Sequence, residues 1–352
     1  LFYLLKHGLR GTCSKICFPS EARFSWHTMN IAIFAIALFI NTFISIIYHL
    51  MYFTIQNRIN YFNHSSPDLC YTSLIENKED IMIKLIALDM DGTLLNEKKE
   101  LKQAEIDAIH KAVKAGVTVV LCTGRPLVGV KPFVKQLGFD TEEEYIIVNN
   151  GCSTHSTKNW ALVDWEELAI SDVEYLSTFT TSDAVQISLF DEEEYFVLAE
   201  QANATVSLDA GLVGMKPLPI DLKEATSGKH RFFEAMFVGE KNAIDAFENQ
   251  YNTLLSQRYS TVRSQDYLLE ILPDGASKAS GLKKLADRLS ILPEEIMAIG
   301  DANNDLEMIA FAGLGIAMGN ANEQVKDIAQ DITDTNENNG VAKAIEKHIL
   351  NK

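Results

Sequence analysis

The segment KLIALDMDGT, residues 84–93, runs four apolar residues straight into two aspartates separated by one methionine. Residues 84–89 read as a buried strand, because nothing between Leu85 and Leu88 offers a polar face. Downstream, apolar residues recur at helical spacing from Glu100 to Ala115 (Leu101, Ala104, Ile106, Ala108, Ile109, Ala112, Val113), with Gly116 as a stop. VTVVLCT (117–123) is a second strand, Pro126 to Leu137 a second helix closed by Gly138, and YIIVNN (145–150) a third strand. Short apolar runs alternating with helical periodicity predict a parallel α/β sheet.

The rhythm changes near Trp160. AVQISLFD (184–191) and EYFVLAE (194–200) read as a hairpin, HRFFEAMFV (230–238) as a strand, Lys241 to Gln257 as a helix and TVRSQDYLLEIL (261–272) as one long strand. This pattern predicts an inserted α+β segment with an antiparallel sheet. The first rhythm returns with a helix over Ser277–Leu289, strands IMAIG (296–300) and LGIAM (314–318), a helix around Leu306–Ala312, and helices near Glu323 and Val341. The expected organisation is a Rossmann-like core over 82–163 and 273–352, interrupted by an α+β insertion over 164–272. The chain is expected to cross between them at Asn150–Trp165 and Leu272–Gly275.

Residues 1–81 have another character. IAIFAIALFINTFISIIY (31–48) is uncharged and close to the roughly 20 residues of a spanning helix. Lys6, Arg10, Lys15 and Arg23 precede it and Arg58 follows, a charge bias that would leave the downstream domain outside the cytoplasm. No small-residue cleavage pattern follows it. The expectation is that Met82 is the natural start and that 1–81 is upstream extension; the alternative is a single-pass membrane anchor.

A net charge of −17 and five cysteines without metal or disulfide spacing narrow the function. The acidic balance argues against nucleic acid or an anionic membrane as partner, and the cysteine usage fits a cytoplasmic protein. The eight histidines show no ligand motif.

In open α/β sheets ligands bind beyond the carboxyl ends of the strands. Those ends carry Asp89-Met90-Asp91-Gly92-Thr93, Thr123-Gly124-Arg125 and Gly300-Asp301-Ala302-Asn303-Asn304-Asp305, while Lys278 lies in the turn opening the helix after the insertion. Asp89, Asp91, Asp301 and Asp305 gathered at one edge would repel one another, which calls for a divalent cation; oxygen ligands favour Mg²⁺. The Thr123 hydroxyl, the backbone N–H groups around Met90, Asp91 and Gly124, and the Lys278 ammonium suit a phosphoryl group. Asp89 can then attack, and Asp91 can give and recover a proton. Each piece alone has an ordinary reading, as a turn, a helix cap or a solvated lysine. Their joint placement at strand ends does not.

LDMDGT, CTGR, GASKASGL and IGDANNDLEM together resemble the four motifs of the haloacid dehalogenase superfamily. The insertion resembles the cap of its Cof-type (class IIB) sugar-phosphate phosphatases, and the likeness spans essentially all of 82–352. The resemblance implies that Asp89 forms an aspartyl-phosphate, that Asp91 protonates the leaving alcohol and then activates water, and that Thr123 and Lys278 hold the phosphoryl group. It further implies Mg²⁺ on Asp89, the Asp91 carbonyl and Asp301, with Asp305 as ligand or support and Asn304 nearby. Dehalogenases of the superfamily lack an acid at the position of Asp91, so phosphoryl chemistry on a small phosphorylated metabolite is expected. Arg125 touches substrate or pairs locally, and Asn150 is a further substrate contact. The competing functions are a phosphomutase, a phosphoacceptor module without turnover, and a catalytically silent binding protein.

Overall fold

Strand β1 (Leu85–Leu88) is wholly buried at the centre of an eight-stranded sheet in the computed structural model, which describes residues 82–141, 144–180 and 183–351. The membrane-like stretch 31–48 lies outside the described residues. Among those described, no helix is long and apolar enough to cross a membrane.

β1 pairs in parallel with β2 (Thr118–Cys122) on one side and β12 (Ile296–Gly300) on the other. β3 (Tyr145–Val148) extends the parallel set beyond β2, as β13 (Leu314–Ala317) and β14 (Asp331–Ile332) do beyond β12. Successive strand residues point to opposite faces, and here both faces are covered, so apolar residues run without alternation. Ile86, Leu88, Val119 and Leu121 pack with Ile109 of α1 (Gln103–Lys114), Val130 of α2 (Leu127–Gln136) and Val341 near the chain's end. Leu85, Ala87 and Val120 pack on the opposite face against Leu282 and Leu285 of a helix over Lys278–Leu289.

Three local expectations are corrected. Helix α1 begins at Gln103 rather than Glu100, because Leu101 pairs with Leu95 and the chain between them reverses. Asn96 and Glu100 exchange backbone and side-chain hydrogen bonds across that reversal, and Lys99 takes a left-handed φ of 61°. The connection from Asn150 to Trp165 holds two antiparallel strands, β4 (Ser153–Ser156) and β5 (Leu162–Trp165), which complete the sheet in the order β14-β13-β12-β1-β2-β3-β4-β5. Finally, 261–272 is a hairpin rather than one strand. β10 (Ser260–Gln265) turns at Asp266–Tyr267 into β11 (Leu268–Leu272), and the Arg263 guanidinium donates to the carbonyls of Gln265 and Asp266.

The remaining strands form a six-stranded sheet in the order β10-β11-β9-β6-β7-β8, with β6 (Val185–Phe190), β7 (Tyr195–Val197), β8 (Leu218–Pro219) and β9 (Glu234–Gly239). One face buries Ile187, Leu189, Phe237 and Ile271 against Leu176 of α3 (Ile170–Ser177) and Ile244 and Phe247 of a helix over Lys241–Leu255. The other face carries Glu234, Met236, Leu268 and Glu270, and α4 (Ala204–Leu212) packs beside it through Val206 and Ala210.

Candidate active site

Register sets the site. Leu88 lies opposite Leu121 of β2 and Ile299 of β12, so Asp89, Thr123 and Asp301 emerge together at the carboxyl edge of three adjacent strands. Lys278 reaches them from the first residue of its helix. That helix is capped by Ser277, whose hydroxyl accepts the Ser280 N–H, while the Ser280 hydroxyl accepts the Ser277 N–H.

The Lys278 ammonium is 1% exposed and donates to Asp89 Oδ1 at 2.6 Å and to Asp305 Oδ1 at 2.7 Å. Burial alone would push its pKa down; the Asp305 and Asp89 carboxylates outweigh burial and hold it well above the usual value. Asp305 is fixed on its other side, where Oδ2 accepts the N–H groups of Asp301 (2.9 Å) and Ala302 (3.1 Å). Asp301 Oδ1 accepts the Thr93 hydroxyl at 2.9 Å. Two glycines make the approach sterically feasible: a Cβ on Gly92, whose φ is +88°, would overlap the Asp301 carboxylate, and one on Gly300 would overlap that of Asp305.

Three carboxylates thus face one ammonium. Oxygens of Asp89, Asp301 and Asp305 lie within 4.8 Å of one another. Burial and then the charge of Asp305 raise Asp89 well above the ordinary carboxylate range, against the pull of Lys278, and the same two causes lift Asp301 to about 6. A buried all-oxygen cluster short of positive charge could hold a metal, and its donor chemistry fits a hard divalent cation.

Asp91 points elsewhere. Arg125 grips it with Nε at 2.5 Å from Oδ2 and Nη2 at 2.8 Å from Oδ1, and Lys99 adds a contact of 2.6 Å. Burial alone would raise the Asp91 pKa, but Arg125 and then Lys99 hold it at about 2. Of the two roles left open for Arg125, this is the local pair. The Thr123 hydroxyl accepts the Arg125 N–H at 3.1 Å. Asn304 donates to Asn150 Oδ1 at 3.0 Å, and the Asn150 amide lies against Gly124. Met90 is fully buried.

Asp89, Asp91, Thr123, Gly124, Arg125 and Asn304 line a cavity of about 410 Å³ whose far wall is the six-stranded sheet. Lys278, Asp301 and Asp305 sit behind Asp89, and Asn150 behind Gly124 and Asn304. The structure adds cavity residues that the sequence reading missed. Lys99 gave no signal, being one of two adjacent lysines in the polar run NEKKE (96–100). Glu234 and Glu270 did give one: each is a single carboxylate inside an otherwise apolar strand, FFEAMFV and LLEIL.

The family model described as haloacid dehalogenase-like hydrolase matches residues 86–345. The chain belongs to that family, and its enzyme class is that of a phosphatase. The YxeH protein of Bacillus subtilis (strain 168) is 33% identical over 271 residues, covering 77% of this chain and 100% of the relative. The 5-amino-6-(5-phospho-D-ribitylamino)uracil phosphatase YcsE of the same organism is 31% identical over 275 residues, covering 78% and 98%. A solved haloacid dehalogenase-like hydrolase from Bacteroides thetaiotaomicron is similar with a TM-score of 0.68 at 32% identity, covering 75% of this chain and 99% of that one.

Proposed function

We propose that this protein hydrolyses small phosphomonoesters, sugar phosphates among them, with Mg²⁺ bound and with the phosphoryl group carried transiently on Asp89. The observation that carries this reading is the buried Lys278, bonded at once to Asp305 and to Asp89, which lines the cavity. Its fixed positive charge orients the Asp89 carboxylate and meets the charge of an incoming phosphate.

Asp89 attacks phosphorus and the ester oxygen leaves. Asp91, two residues on at the cavity wall, gives that oxygen a proton and later takes one from the water that cleaves the aspartyl-phosphate. Asp91 is held as a carboxylate while Arg125 and Lys99 clamp it, so the acid role requires their release. An arriving phosphate supplies the competing anion: Arg125 and Lys99 transfer to its oxygens and Asp91 regains the ability to hold a proton. The Thr123 hydroxyl and the backbone N–H groups at Met90, Asp91 and Gly124 complete the phosphate cradle, and the Asn150–Asn304 pair borders it.

The metal would be held by the carboxylates of Asp89 and Asp301 and the Asp91 carbonyl, with Asp305 supporting the loop through its two backbone hydrogen bonds. When bound, it would neutralise charge on the phosphoryl oxygens. Residues 164–272 act as a cap that excludes water and selects the leaving group. The same reading places the protein in the cytoplasm, supported by the free buried thiols of Cys122 and Cys152.

The test is a panel of phosphorylated metabolites given to the native protein and to Asp89→Asn, with phosphate release and sugar isomerisation both followed. Release from native protein alone, without isomerised sugar, is expected. Equal activity in Asp89→Asn overturns the nucleophile assignment, and isomerisation without release makes the protein a mutase.

A further inference from the structure

The cavity has a second charged wall that phosphoryl transfer does not use. Glu234 on β9 and Glu270 on β11 share one face of the six-stranded sheet, since Glu270 lies opposite Met236 and Glu234 is two residues before it. Both line the cavity that also holds Asp89, Asp91 and Arg125. They are 2% and 6% exposed, and each keeps a buried oxygen without a hydrogen-bond partner, Oε1 of Glu234 and Oε2 of Glu270.

Nothing in the sheet requires them. Their strand neighbours are apolar, and a buried carboxylate left unpaired is unfavourable unless something answers it. Among the described residues, the cations at the cavity are committed elsewhere. Arg263 binds Asp245 and Glu248, while Arg125 and Lys99 bind Asp91 and Lys278 binds Asp89 and Asp305. The third carboxylate of this wall, Asp209, is already met by the hydroxyls of Tyr195 and Tyr267, each at 3.1 Å. Glu270 has the neutral donors Ser264 and Asn150 beside it, is pushed up by the Asp209 charge and pulled down by that of Lys278, and forms no ion pair with either Lys278 or Arg263. Burial and then the Glu270 charge raise Glu234, and burial raises Glu270 to about 7 against the pulls of Ser264 and Lys278, as expected for buried carboxylates that no cation contacts.

We infer that the substrate is an aminated phosphomonoester, whose phosphate meets Asp89 and whose protonated amine is received by Glu234 and Glu270. This deepens the phosphatase reading and rests on it. A hydroxyl could satisfy one hydrogen bond but brings no charge. A second anionic group on the leaving group would be repelled. An ammonium supplies three donors and a positive charge in direct contact with the pair, which no ion pair of the chain provides.

The experiment compares matched substrates at neutral pH: glucosamine 6-phosphate against glucose 6-phosphate, and 2-aminoethyl phosphate against 2-hydroxyethyl phosphate. The amino member should have the higher kcat/KM by about tenfold or more in at least one pair. In Glu234→Gln and Glu270→Gln that ratio should fall by about fivefold or more. Any loss of folded enzyme lowers both rates of a pair alike and leaves the ratio untouched. A ratio at or below one in both pairs overturns the inference, as does a ratio unchanged in both variants. Turnover of p-nitrophenyl phosphate alongside such a result rejects the amine alone. No phosphate release from any compound rejects the phosphatase reading and the inference with it.

Discussion

The floor and the far wall of the cavity are both acidic, yet they handle their charge in opposite ways. At the floor every buried carboxylate has a partner from the chain: Lys278 bonds Asp89 and Asp305, backbone N–H groups hold Asp305, and Thr93 holds Asp301. On the wall Glu234 and Glu270 keep unpartnered oxygens. If the floor takes the phosphoryl group and the wall the leaving group, as proposed, the difference follows from what each region must recognise. A phosphoryl group is the same in every substrate, so its site can be organised in advance by strand register and a capped helix. A leaving group varies, and its site is left for the ligand to complete.

The variant that should separate the regions most sharply is Asp89→Asn. It removes the proposed nucleophile and should lower kcat by about a thousandfold or more, measured as phosphate release from p-nitrophenyl phosphate. Lys278→Met should lower kcat by about a hundredfold or more. It also strands two buried carboxylates, so the midpoint of chemical denaturation should show a loss of about 3 kcal/mol. A Lys278→Met protein as active and as stable as the native one would break the contrast from the floor's side. Arg125→Ala should raise KM by about tenfold, with a smaller change in kcat, because it takes a fork from the incoming phosphate.

A further expected effect, on stability alone, comes from a buried carboxylate outside the cavity, which shows what burial does without a ligand role. Glu105 on α1 accepts the Ala342 N–H at 2.6 Å, and its other oxygen has no partner. Burial pushes its pKa from 4.5 to about 7, against smaller pulls from Lys102 and Lys343. The folded protein therefore keeps a proton that the unfolded chain releases. This contribution is complete below the unfolded value and is lost as pH rises toward 7. Between about pH 5 and about pH 8 the native protein should lose on the order of 2–3 kcal/mol relative to Glu105→Gln, read from paired denaturation curves. Parallel curves for the two proteins would remove the effect.

Much of the core and its site was legible in the sequence, for a physical reason. A parallel strand covered on both faces must be apolar throughout, and its polar end then stands out, as at Asp89 and Asp301. β4 was unreadable by the same logic, since STHS is fully buried but polar and satisfies itself locally, His155 bonding Ser153 and the Trp160 carbonyl. The β10–β11 hairpin looks like one strand in the sequence because its turn, Asp266–Tyr267, contains no glycine or proline and is held by the side chain of Arg263. The clamp on Asp91 was unreadable for another reason. Lys99 reaches it only because the chain reverses between Leu95 and Leu101, a turn pinned by Asn96 and Glu100 that periodicity read as the start of a helix.

On the proposed mechanism Asp89 takes the phosphoryl group from substrate. Acid quench of the enzyme during turnover, followed by peptide mass spectrometry, tests that most directly. One phosphoryl group is expected on the peptide containing Asp89 in native protein and none in Asp89→Asn. Steady phosphate release with no label at Asp89, or a label on another residue, would contradict it.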